Sequence, residues 1–170
     1  TDQPLRMLIT MKTTHYMSAN ASLDYDVKTQ TMFISYQGKV SASTILRVHS
    51  WMREIVNHFG IRQLRGTVVD LSGVATFMPN PLTTLQVSGM DGHHEYDICK
   101  LPAAMIVRNA YQEKMMLLVH NSDHVVEQFR TVYDMNSAKQ FIESCVEAES
   151  RLGLFGMSAL FSSPLSTAQA

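Results

Sequence analysis

Between Gly66 and Leu85 the chain reads Gly-Thr-Val-Val-Asp-Leu-Ser-Gly-Val-Ala-Thr-Phe-Met-Pro-Asn-Pro-Leu-Thr-Thr-Leu. Thr67 to Leu71 is β-branched or apolar apart from Asp70, so both faces of the run need cover. That is the pattern of a central strand in a sheet flanked by helices. Ser72 and Gly73 read as a turn closing the strand. Asn80 before Pro81 reads as a helix start, because the Asn side chain can accept from an orphan N–H and Pro at the first helical position gives up no bond. Leu82, Leu85 and Met90 then share an inward face, and the helix ends near Gly92. A buried strand feeding a helix commits the chain to an α/β design.

The remaining segments fit around this unit. Ser22 to Val27 alternates, with Leu23, Tyr25 and Val27 set against Asp24 and Asp26; Thr31 to Tyr36 alternates again, Met32, Ile34 and Tyr36 against Phe33 and Ser35. Two period-two runs separated by Lys28, Thr29 and Gln30 predict an antiparallel hairpin with one face toward the core, its second strand ending at Gly38. Ser41 offers an N-cap for an amphipathic helix through Ile45, Val48, Met52, Ile55 and Phe59, stopped by Gly60, with Trp51 packed at the edge of the stripe. Pro102 to Arg108 is a second buried strand. Asn109 and Gln112 form a capping pair for a helix of about four turns through Tyr111, Met115, Leu118, Val119 and Val126. Phe129 to Tyr133 is a last strand, and Asn136 caps a final helix with Phe141, Ile142, Cys145, Ala148 and Leu152 on one face.

The expected fold is therefore a mixed sheet, an N-terminal antiparallel hairpin followed by parallel strands alternating with four helices. Residues 1–21 show no clear period and receive no element; 22–152 make one domain. Residues 153–170 carry Leu154, Phe155, Met157, Leu160 and Phe161, too many apolar side chains for an idle tail. They are expected to pack on their own domain or on a second copy, as a homodimer contact.

At 170 residues, 45% hydrophobic and 17% charged, the chain suits one globular domain rather than a disordered one. Its 14 Lys and Arg against 15 Asp and Glu supply no clustered positive charge, so nucleic acid is not an expected partner. Cys99 and Cys145 lack the spacing of a zinc site or a disulfide framework, and free thiols fit a reducing compartment. No apolar run reaches the roughly 18 residues of a membrane span, and the start carries no secretory-type apolar core. A cytoplasmic protein is expected.

The order of elements, with Val69-Asp70-Leu71-Ser72-Gly73-Val74 running through Phe77 and Met78 toward Leu82 and Leu85, resembles the STAS superfamily of anti-sigma-factor antagonists. More closely, it resembles the SpoIIAA-like branch of mostly uncharacterised bacterial proteins. Gly38-Lys39-Val40 before a helix, Pro102-Ala103-Ala104 before the third helix and the Val132 to Ala138 turn are similar to that branch, over about residues 22–150. The resemblance implies a SpoIIAA-like fold in a bacterial protein. In the antagonists the loop entering the second helix carries Asp-Ser-Ser-Gly, whose serine accepts phosphate. Here that place reads Pro79-Asn80-Pro81, so the phosphorylatable serine is missing, although Thr83, Thr84 and Ser72 lie nearby.

Parallel sheets of this kind bind ligands outside the carboxyl ends of their strands, where helix N-termini converge. That edge holds Asp70, Ser72, Thr76 and Asn80, then Arg108, Asn109 and Tyr111, then Asp134 and Asn136. These residues suit a small polar ligand or a partner loop; capping and turn formation also explain them. His120 and His124 share a helical face and His93, His94, Glu95 and Asp97 cluster, yet Asn121 stands where an H-E-x-x-H helix needs Glu, and no four-ligand set closes. No G-x-S-x-G elbow or phosphate loop occurs. No catalytic residue, metal or cofactor is assigned. The residues favour a non-enzymatic binding or regulatory domain, engaging a protein or a small ligand. The alternative is a small enzyme, with Asp70 or a histidine as base, or a lipid-binding protein, using the strand-end cleft.

Overall fold

The structure, a computed structural model, describes residues 14–78, 101–120 and 128–160, with residues 116–120 and 151–160 as backbone only. Six strands form one sheet: β1 (His15–Met17), β2 (Ala21–Asp26), β3 (Thr31–Val40), β4 (Gly66–Phe77), β5 (Ala103–Ile106) and β6 (Phe129–Val132). They lie in the order in which the chain makes them. The pairs β1–β2 and β2–β3 are antiparallel and the pairs from β3 to β6 parallel, which is the expected mixed sheet. Three α-helices occur among the described residues, α1 (Ala42–Phe59), α2 (Ala110–His120) and α3 (Met135–Leu160), against four expected. The helix expected from Pro81 to Gly92 falls outside the described residues, as do Asn80, the 93–97 cluster, Cys99, His124 and Val126.

Period-two patterning sorts the sheet's side chains onto two faces. Leu23, Met32, Ile34, Val69, Leu71 and Val74 pack against Ile45, Val48, Met52 and Ile55 of α1. Val68, Ala104, Ile106 and Val132 point the other way and meet Ala138 and Ile142 of α3. Each Val, Leu, Ile or Met among them contributes roughly 1.5–3 kcal/mol on burial. Helix α1 keeps its expected bounds because Ser41 accepts the Thr44 N–H, and Gly60, at φ 84°, returns its own N–H to the Val56 carbonyl.

The hairpin is shorter on one side and longer on the other than its alternation predicts. Val27, expected inside, is exposed: β2 stops at Asp26, whose carboxylate accepts the Lys28 N–H. Gln30 then takes a left-handed φ of 55° to close the loop. Upstream, β1 adds a strand from the segment left unassigned. Its Tyr16 stacks on Trp51 at 5.6 Å and donates to Glu54, and burial together with that carboxylate pushes the phenol pKa up to about 12.

The largest correction concerns β3 and β4. Ser72-Gly73 does not end β4, and Gly38 does not end β3; the two strands stay paired to Val40 and Phe77. Between Asp70 and Gly73, and again between Val74 and Thr76, β4 spends one residue more than β3, so the would-be turn is a bulge. Gly38 bends β3 at φ 65°. Gly73 suits the bulge because a Cβ there would lie 3.2 Å from the Tyr36 carbonyl oxygen.

Candidate functional site

β5 pairs with β4 only as far as Ile106 opposite Asp70. Among the described strands β4 runs on beyond that point beside β3 alone, and the expected site residues Asp70, Ser72 and Thr76 lie along this half of it. Asp70 sits at the first bulge and its carboxylate accepts the Ser72 N–H at 2.8 Å, so the acid braces its own strand. Thr76 is half-buried and its hydroxyl donates weakly to the Phe77 carbonyl at 3.4 Å. Asp70 and Thr76 are six steps apart, roughly 20 Å of strand, so these residues line an edge rather than one pocket.

Across this edge stands the start of α2. Asn109 is its N-cap, accepting the Gln112 N–H at 2.9 Å, as the Asn-x-x-Gln spacing predicts. In a capping box the Gln side chain would return to the Asn109 N–H. Gln112 instead accepts the Arg108 N–H at 2.7 Å and donates through Nε2 to the Val74 carbonyl at 2.9 Å. Only 1% of the residue is exposed. Gln112 thus takes the hydrogen-bonding place that a longer β5 would have filled, tying α2 to the bulged half of β4. Sequence reasoning recognised it as a capping partner and missed this second bond, because Val74 lies 38 residues away.

The outer surface has a different character. Tyr111, expected on the inward face of α2, is 46% exposed: the turn that buries Gln112 and half-buries Met115 places it outward, where its ring meets Phe77 at 6.4 Å. Met78, Tyr133 and Met135 are exposed too, as are Arg108 and Asn109 between β5 and α2. Tyr133 donates to Glu113 of α2 at 3.1 Å, and that carboxylate raises the phenol pKa. Asn136 is not the cap of α3. Asp134 holds that place, accepting the Ser137 N–H at 2.8 Å and its hydroxyl at 2.7 Å, and these bonds lower its pKa.

The structure therefore brings Tyr111 to Phe77, with Arg108 and Asn109 directly ahead of it in the chain and bonded to Gln112, and sets Asp70, Ser72 and Thr76 along β4; Asn80 lies outside the described residues. Among the described residues no three His, Cys, Asp or Glu side chains converge on a metal position, and no helix is long and apolar enough to cross a membrane.

No protein-family model matches the chain, and no curated protein matches its sequence. Among solved structures it is similar to an uncharacterised protein from the DUF3478 family with a SpoIIAA-like fold, from Shewanella loihica PV-4. The TM-score is 0.54 at 13% identity, over 75% of this chain and 99% of that one. Identity at that level speaks to fold alone, and the fold is SpoIIAA-like, as the sequence resemblance implies.

Proposed function

We propose, from the SpoIIAA-like fold and the character of its strand-end surface, that this chain is a non-enzymatic binding and regulatory domain. It engages a protein partner through Phe77, Met78, Arg108 and Tyr111, and it works as a homodimer in the bacterial cytoplasm. One observation carries the reading: the polar groups behind this edge are already bonded within the chain, Asp70 to Ser72, Asn109 to Gln112, and Gln112 to Val74 and Arg108. Exposed there, beside polar residues such as Asn109 and Asp134, are Met78, Arg108, Tyr111, Tyr133 and Met135, of the aromatic, methionine and arginine types enriched in protein contacts. Without an Asp-Ser-Ser-Gly loop, partner choice would rest on this surface rather than on a phosphorylation switch.

Photo-crosslinking in cells tests the reading. The full chain carrying p-benzoylphenylalanine at position 111 should give one discrete adduct on irradiation, whereas the same group at position 46, exposed on α1, should give none. Arg108→Glu with Tyr111→Ala should weaken capture of that partner about 30-fold, near 2 kcal/mol. Adducts at neither position, equal adducts at both, or turnover of a metabolite by the purified protein would overturn it.

A further inference from the structure

Helix α3 outruns the sheet it covers. It has 26 residues, so it is about 39 Å long. Ala138 and Ile142 are buried against the sheet. At Ile142 the helix has already reached Gly66, the first residue of β4, where an added Cβ would lie 2.7 Å from Ile142 Cδ1 and 3.0 Å from the Pro102 carbonyl oxygen. The 18 residues that follow carry the backbone roughly 27 Å further. Glu147, Ala148, Glu149 and Ser150 are all exposed, as on a helix that has left its body.

The apolar pattern does not stop there. Helix positions 138, 145, 152 and 159, with 141, 148 and 155 three residues further on, form a seven-residue repeat, and each is apolar: Ala, Cys, Leu, Ala and Phe, Ala, Phe. Its first turns are the ones that sit on the sheet. From Leu152 to Ala170 the sequence has no charged residue, whereas Glu143, Glu147, Glu149 and Arg151 precede it. Gly153 and Gly156 weaken a helix in water, and a projecting stretch of this length is marginal without tertiary cover.

We propose that the projecting half of α3 pairs with the same segment of a second copy, so that positions 152 and 155 of the two chains form one two-fold seam. An uncharged apolar repeat is complementary to itself, which a two-fold axis requires. The three preceding glutamates outweigh the single Arg151 and disfavour the other apolar occupant, an anionic membrane surface. This inference rests on the homodimer reading above and supplies its contact; it is independent of the strand-end surface.

Sedimentation of the full chain tests it. The wild type should sediment at twice the chain mass, and Phe155→Glu should weaken the dimer at least tenfold with its far-ultraviolet circular dichroism kept. Leu152→Gln serves as a second variant should Phe155→Glu misfold, and Leu46→Glu on α1 should change nothing. A monomeric wild type overturns both the dimer reading and this contact. A wild-type dimer that Phe155→Glu and Leu152→Gln leave as tight overturns the contact alone. Flotation of a monomeric wild type with phosphatidylcholine vesicles, lost in Phe155→Glu, would give the segment to a lipid surface instead.

Discussion

Gln112 is a polar side chain in a place where a strand residue would ordinarily sit. Its amide has the reach to serve two backbone groups, the Val74 carbonyl and the Arg108 N–H, and it is buried while doing so. Replacing it by Leu keeps most of the volume and leaves both groups without that partner. A buried polar group left unpaired costs about 1–3 kcal/mol, so Gln112→Leu should lower the unfolding free energy by about 2–4 kcal/mol in urea. Asn109→Ala removes one exposed cap and should cost about 1 kcal/mol. The sequence makes the Asn109 cap legible because cap and partner are three residues apart. The same reading misjudges Tyr111, since the pattern of α2 is apolar on several sides and does not say which face the sheet takes.

Among the elements, the caps and bulges depart most from their sequence signals. Asn136 and Asp134 are both good caps by residue type; Asp134 wins because Ser137, three residues on, offers both a backbone N–H and a hydroxyl. These bonds hold its carboxyl below its ordinary pKa, the Ser137 backbone bond contributing most. The stabilisation is thus complete above the unfolded value of 3.8 and is lost as pH falls through the lower folded one. Asp134→Asn keeps an acceptor that does not titrate, so its melting temperature should fall less steeply than that of the wild type between about pH 5 and pH 2. Asp26, held low chiefly by the Lys28 N–H, accounts for part of the slope that remains. Ser72-Gly73 misleads for a related reason. The residue types that close a strand also fill a bulge, and only the partner strand, here β3 running on to Val40, distinguishes the two.

At the scale of the whole molecule, hydrophobic period made the order of elements readable, and the mixed sheet follows from it. The reach of α3 was not readable, because Gly153 looks like a helix stop and the helix runs through it to Leu160. How closely α3 lies on the sheet turns on Gly66, whose missing Cβ leaves room for Ile142. Gly66→Ala should cost about 1–3 kcal/mol by overpacking. Combined with Ile142→Ala, which empties the space, it should cost less than the sum of the two, a coupling that urea titration of the four proteins would reveal. The strand order has a further consequence during synthesis. Each described strand pairs with the one made just before it, so a chain leaving the ribosome can add every strand to an edge that already exists, with no gap held open for a later arrival. Among the described residues, the cover of the face formed by Val68, Ala104 and Ile106 comes largely from Ala138, Phe141 and Ile142, which emerge last. Docking of α3 is then the last step among the described elements, and in the interval just before it their apolar face is open to a chaperone.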